Sequence, residues 1–510
     1  MSETLFSFAI SKVASYTLEH TCQITLPANF FLRSILILAP SACVLRHSCH
    51  KVQWPYPQLG FVVDGSVPLG RLDIAVVGSG ISGLTAALIL SKNHKITLYE
   101  KEARPGGHSN TIQIIEEDRS VPVDTGFIVY NEENYPNFTQ LLQYLNVKSQ
   151  TTSMSFSYSL SDRGMEYCSN GLNGLFGQRK NLLNPDAWQL LRGLLRFYKE
   201  AGSINASTHP DLTVGEFLKE GGYSKSFADL HLIPMISAIW STSSQSTQRI
   251  PVSSIVRFFD NHGLLRFRNR PQWKTVCKGS STYVWRLLNE ASVNLQLGQE
   301  ISTISRTNNS VTVRDIHGAT RNHDAVVLAT HADQALRLLN APTPSETQIL
   351  GKFLYQKNTV VVHNDDSLMP SLKKLWSSWN VQSSSCSPDK LTVTYWMNKL
   401  QALDCQKDYF VSLNPYDISC SKTIYREFSY SHPILDSQML SAQQDLRLIQ
   451  GKRNTWFCGS YFGYGFHEDA LVSAIQVAEA LGSMRPWKKS NTDLPYSSTS
   501  TTVKSRAVDA

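Results

Sequence analysis

The chain has 510 residues, 42% of them apolar and 17% charged, which is long enough for two or three domains and too apolar for a disordered polymer. Its 48 Lys and Arg against 41 Asp and Glu leave a net charge of +7, mild for this length, and no dense basic run is interleaved with aromatics, so no nucleic-acid partner is expected. The nine cysteines are scattered with no CxxC pair, which argues against a metal site and for buried thiols in a reducing, cytoplasmic compartment.

Residues 1–70 read as an N-terminal extension. Their apolar run from Phe30 to Pro40 is broken by Arg33 and falls short of the roughly 20 residues a spanning helix needs. It also lies behind Glu3 and Glu19, too deep for a signal peptide. A packing extension is the expectation, with a membrane-associating segment or a leader as alternatives.

The richest information lies in 72–107. An apolar strand, Leu72 to Val77, stops at Gly78-Ser79-Gly80-Ile81-Ser82-Gly83, an Ala- and Leu-rich helix follows, and a second strand ends at Glu100. Gly78 permits the tight turn, Gly80 lets backbone approach a pyrophosphate, and Gly83 lets the helix pack on the strand. The helix N-terminus then offers free N–H groups and the positive end of its dipole to phosphate. Glu100 lies 22 residues after Gly78, near the spacing of about 20 expected for the acid that holds a ribose. Strand, turn, helix and acid together predict a dinucleotide site.

Downstream, 134–145 has the periodicity of a helix, with Phe138, Leu141, Leu142 and Leu145 on one face. Residues 154–168 alternate as a strand does, and Asn173-Gly174 signals a turn. A helix is predicted over 185–201; it reads as a core helix, with a membrane-facing one as the alternative. Thr213 and Glu216 have capping-box spacing. Residues 229–259 read as apolar helices lining a substrate cavity. Strands are expected over 293–304, 311–313 and 324–330, the last ending on the small Ala329-Thr330, and again over 358–363 and 391–397. A strand, Gly459 and a helix close the ordered part, and 486–510 reads as a Ser/Thr/Lys-rich disordered tail.

The segment after Glu100, Lys101-Glu102-Ala103-Arg104-Pro105-Gly106-Gly107-His108, resembles the flavin-containing amine oxidase superfamily, with its R-x-G-G motif after the acid. Val123-Asp124-Thr125-Gly126 is similar to the family's D-x-G segment. Trp456 to Ser460 with Gly465-Phe466-His467-Glu468-Asp469-Ala470-Leu471 resembles its closing strand–glycine–helix. The likeness spans about 72–482, and GGHSNT, VDTGFIVYN, TYWMNKLQ and YGFHEDAL look like a branch described only as predicted NAD/FAD-binding proteins. The resemblance implies an α/β fold: a Rossmann-like FAD-binding domain from 71–130, 274–345 and 453–485, with an inserted α+β substrate domain from 131–273 and 346–452.

It also implies FAD as cofactor and a set of contacts. These are Gly78, Ser79, Gly80, Ser82, Gly83, Glu100 and Lys101; Arg104, Gly106, Gly107 and His108 along the phosphates and ribityl chain; Ile301 by the adenine and Ala329 and Thr330 by the pyrophosphate; and Gly459, Phe466, His467, Glu468 and Ala470 at the ring. Phe466 matches the family's aromatic cage wall, and Tyr464 and Trp396 are candidates for the other wall. His467 is otherwise expected as an exposed cap residue, with a proton carrier as the alternative, and His108 as a backbone-positioning residue rather than a flavin link. Two departures stand out: Tyr461 occupies the position of an acid, and no lysine matches the one near flavin N5. The implied activity is an FAD-dependent, amine oxidase-like oxidoreductase removing a hydride from a small hydrophobic molecule. The alternative is a desaturase or isomerase of a lipid- or polyene-like substrate, and a third is a flavin kept for structure alone. One GxGxxG is present, which disfavours a second, nicotinamide-binding domain. Membrane association is left open, and the oligomeric state is not legible.

Overall fold

The computed structural model describes residues 70–160, 164–204, 211–266, 269–384, 387–416, 418 and 422–487. The expectations for the N-terminal extension and for 488–510 of the tail lie outside these residues.

The central sheet has five parallel strands in the order Val293–Gln296, Lys95–Tyr99, Asp73–Val77, Ala325–Leu328 and Thr455–Phe457. Its inner strands Asp73–Val77 and Ala325–Leu328 read as near-continuous apolar runs, because parallel strands covered on both faces have no wet side, while the edge strand Val293–Gln296 carries Asn294 and Gln296. Ile74, Val76, Leu98 and Val327 face one core with the helices Ile81–Leu90 and His467–Ala480. Ala75, Val77, Val326 and Leu328 face the other, which holds Trp240, Ile255, Phe258 and Phe259 from the 229–259 helices. The helix Ile81–Leu90 is buried at every position, which explains why it carries no polar stripe.

A seven-stranded sheet runs Ile424–Pro433, Tyr355–His363, Phe410–Leu413, Ser387–Trp396, Trp379–Ser384, Phe156–Leu160 and Met165–Cys168. All its pairs are antiparallel except Trp379–Ser384 with Phe156–Leu160. A three-stranded sheet joins Ile301–Arg306, Val311–Asp315 and Thr320–His323.

Several local expectations change. The alternating run over 154–168 is two paired strands rather than one. The strand expected over 293–304 breaks between Gln296 and Ile301, where Gly298 takes a φ of +66°. Asn173-Gly174 lies inside the short helix Gly171–Leu175 rather than in a turn, and a Cβ on Gly174 would lie 2.3 Å from the Cys168 carbonyl oxygen. The helices Pro136–Tyr144 and Pro185–Glu200 and the Thr213–Glu216 capping box form as the pattern predicts. Among the described residues, no helix is long and apolar enough to cross a membrane, and no cluster of His, Cys, Asp and Glu could hold a metal. Cys168, Cys277, Cys405 and Cys458 are free thiols.

Candidate active site

The turn between Asp73–Val77 and Ile81–Leu90 is built from three glycines with three different constraints. Gly78 has a φ of +100°, and a Cβ there would lie 2.8 Å from the Ala329 carbonyl oxygen. A Cβ on Gly83 would sit 1.8 Å from the Gly78 oxygen and 3.1 Å from the Ala329 Cβ. A Cβ on Gly80 would meet nothing within 4 Å. Gly80 is the helix N-cap, and no side chain caps the first turn. The unsatisfied N–H groups of that turn therefore face the space that Gly80 leaves open.

Glu100 is buried at the end of its strand and pins this turn. One carboxylate oxygen accepts from the Ser79 N–H at 2.9 Å and its hydroxyl at 2.5 Å, and the other accepts from the Glu102 N–H at 2.9 Å. The Gln299 N–H donates to the Glu100 carbonyl at 2.8 Å, which brings the segment entering Ile301 beside it. The Ile301 side chain itself is buried in the core, and Lys101 is exposed, 3.9 Å from Glu102. A second loop lies on the first. The Gly106 N–H donates to the Ser79 carbonyl at 2.9 Å, and a Cβ on Gly107 would lie 3.2 Å from the Gly80 Cα. Arg104 closes this loop by donating to the Gly107 carbonyl at 3.0 Å.

Beyond Gly107 the site is made of side chains. His108 packs against Tyr430, His432 and His331 at centroid distances of 4.7, 5.5 and 6.2 Å. Its Nε2 is buried without a hydrogen-bond partner. His331 stacks on Tyr355 at 4.5 Å, and the Tyr430 hydroxyl meets Thr125 at 2.8 Å and Asn110 at 3.0 Å. His467 is not the exposed cap residue expected from its position. Its ring lies flat on Phe127 at 3.6 Å, and its Nε2 is 2.6 Å from the Tyr283 hydroxyl and 3.1 Å from the Ser109 hydroxyl. The Ser109 and Tyr283 hydroxyls also contact each other.

Burial holds these imidazoles neutral. It pushes His108 down to about 3, helped by His331 and Arg104, and His467 and His432 down to about 3, each helped by His108. His331 falls to about 4, again by burial first and His432 second.

Phe466 is the N-cap of the closing helix, and its ring stacks on Phe258 at 5.0 Å. Phe258 stacks on His262 at 3.9 Å, and His262 faces Trp273 at 6.2 Å. Trp240 lies 6.2 Å from Phe466 and donates its indole N–H to the Tyr464 carbonyl at 3.2 Å; the Tyr464 ring is 6.0 Å from Phe258. Phe466 and Tyr464 thus share one aromatic set. Trp396 is outside it. It packs with Met369, Trp376 and Phe410, and its indole donates to Asp408 at 2.8 Å.

Glu468 also has a different surrounding from the one expected. Its carboxylate accepts from the Asn137 N–H at 2.8 Å, the Asn137 amide at 2.9 Å and the Phe138 N–H at 2.9 Å, capping the helix Pro136–Tyr144, which has no cap of its own. Burial raises it to about 7 against those bonds. Ala470 is core, Ser82 and Cys458 are buried neighbours, and burial pushes the Cys458 thiol to about 12. The Gly459 N–H donates to the Ser473 hydroxyl at 2.9 Å, and a Cβ at Gly459 would strike the Tyr461 ring.

Periodicity and spacing do not single out His331, His432, Tyr430, His262 or Tyr283, whereas Trp240 and Phe258 lie in the 229–259 stretch read as lining a substrate cavity. Asp124, within the D-x-G segment, did carry a signal. It is fully buried, accepts from Ser280 and Thr111, and is raised by burial to about 6.

The family described as flavin-containing amine oxidoreductase matches residues 81–363. No curated protein matches the sequence. Cyclohexylamine oxidase from Brevibacterium oxydans IH-35A shares the fold with a TM-score of 0.59 at 14% identity, covering 81% of this chain and 98% of its own. A CLA-producing fatty acid isomerase from P. acnes does so with a TM-score of 0.55 at 14% identity, covering 80% and 97%. Putrescine oxidase bound to putrescine is similar, with a TM-score of 0.58 at 13% identity, covering 81% and 99%.

Proposed function

The chain belongs to the flavin-containing amine oxidoreductase family, and from that premise we propose that this FAD-dependent oxidoreductase takes a hydride from a small, hydrophobic substrate held against Phe466. The carrying observation is the aromatic set Phe466, Phe258, Trp240 and Tyr464 at the start of the closing helix.

The residues present fit FAD at both ends. The Cβ space beside Gly80 and the uncapped helix turn suit a pyrophosphate, and the Glu100 carboxylate, which already accepts three hydrogen bonds, has one lone pair left for a ribose hydroxyl. The buried, unpartnered Nε2 of His108 is a polar atom awaiting a ligand. In this reading 71–130, 274–345 and 453–485 form the FAD-binding domain, and 131–273 and 346–452 the substrate domain. Bound FAD supplies the two-electron acceptor.

The chain's own residues supply alignment and dryness. The aromatic set excludes water and orients an apolar body. The histidines place no cation near the substrate, and at about 3 to 4 they are weak bases, so an amine must arrive with its nitrogen already neutral. Turnover of an amine therefore rises with pH, and turnover of a carbon–carbon bond does not.

The desaturase or isomerase reading is the second. A phenyl ring at Phe466 attracts cations less than a phenol or an indole, and a fatty acid isomerase shares the fold. Anaerobic mixing with cyclohexylamine and, separately, linoleic acid separates the two. Bleaching of the flavin band by the amine, faster at higher pH, supports the first reading. Bleaching by the fatty acid alone, or isomerisation of the fatty acid with the flavin left oxidised, overturns it in favour of the second.

A further inference from the structure

We propose that the segment 171–200 docks the protein on an anionic lipid surface, lying along it. The helix Pro185–Glu200 buries Ala187, Leu190, Gly193 and Phe197. Gly193 fixes that choice of face, because a Cβ there would lie 2.5 Å from the Phe227 ring. The opposite stripe, at steps of four, three and four residues, is Trp188, Arg192, Leu195 and Lys199, all exposed.

A polar stripe is the ordinary outcome for a helix on a protein surface, and this one alternates apolar with cationic side chains. The turn before it adds Leu182 and Leu183, the latter 90% exposed, next to the exposed Arg179 and Lys180. The Trp188 indole donates to the Leu182 carbonyl at 2.9 Å and its ring packs, tilted by 42°, against Phe176 at 5.0 Å, so the turn and helix present their apolar groups as one fixed piece.

Charge selects the occupant. The nearby acids are engaged elsewhere: Asp186 accepts from the Ser226 hydroxyl at 2.7 Å, and Glu200 pairs with Arg196 at 2.8 Å. Among the described residues, no acid pairs with Arg179, Lys180, Arg192 or Lys199. A second copy of this face would bring like charges together. An anionic bilayer accepts both components, with Leu and Trp entering the interface and Lys and Arg meeting headgroups.

The test is co-sedimentation of the full, flavin-loaded chain with vesicles of phosphatidylcholine and phosphatidylserine, and with phosphatidylcholine alone. Binding is expected only to the mixed vesicles, and weaker in high salt. Leu183→Asp with Trp188→Glu should lower binding about tenfold or more, as should Arg179→Glu with Lys180→Glu. Trp285→Glu, which changes an exposed tryptophan on the helix Ser281–Glu290, should not. Unchanged visible absorbance verifies that each variant is folded. Three outcomes overturn the proposal: no vesicle binding, equal binding by wild type and both double variants, or a vesicle-free dimer that Leu183→Asp dissolves.

Discussion

The Gly78–Gly83 turn and the surroundings of Phe466 and His108 are built from opposite materials. At the turn end the working parts are backbone amides and missing side chains, within one short stretch of chain. At the other end they are rings brought from residues as far apart as His108, Phe258, His331 and His432. The backbone site admits no added atom at Gly78 or Gly83 and is coded locally. A ring site is coded by the whole fold and set by burial.

The sharpest test of that contrast is within the turn itself. Gly83→Ala should cost about 3 kcal/mol or more and yield little folded protein, since its Cβ would meet the Gly78 oxygen at 1.8 Å. Chemical denaturation measures it, and a wild-type midpoint would break the packing argument.

Gly80→Glu should do the reverse. The apo chain should keep its thermal midpoint, because a Cβ there meets nothing within 4 Å, while FAD affinity falls roughly a hundredfold or more from an acid placed beside phosphates. Flavin titration of refolded protein reads this directly; unchanged affinity would remove the pyrophosphate from this turn.

The ring end should fail with acid instead. His108, His331, His432 and His467 are neutral in the folded chain and titrate near 6.5 when unfolded. Their folded values are depressed, so the unfolded chain binds more protons as pH falls. The stability is present above 6.5 and lost as pH falls through about 4 and 3. A steep drop in thermal midpoint across that window is expected, and His432→Gln should flatten it. Equal acid slopes in both proteins would show that these imidazoles are already charged.

The smallest effect concerns Glu468, whose value is raised to about 7 from 4.5. Its contribution has the opposite sign, present below 4.5 and lost as pH rises through 7. Glu468→Gln should change stability by about 1 kcal/mol and remove that slope. A steeper slope in the variant would contradict the burial that raises this carboxyl.

Against this background the limits of the sequence are physical. The turn was legible because Gly78, Gly80 and Gly83 meet constraints only a few residues away. Phe466 and Tyr464, neighbours in the closing segment, both pack on Phe258, whereas Trp396 packs elsewhere, because no local rule says which face of Ser387–Trp396 a ring will choose. Glu468 sits at a helix N-terminus in sequence and caps a different helix in space. His467 looked like a surface cap until Phe127 and Tyr283 closed over it.

What the residues determined unaided is the glycine turn, its helix and the acid that pins it, since those interactions are short-range and carried by backbone geometry. What only the tertiary structure decided is the company each ring keeps and the charge each imidazole carries. Both depend on exclusion of water by segments hundreds of residues away, and burial of that kind leaves no periodic trace in the chain.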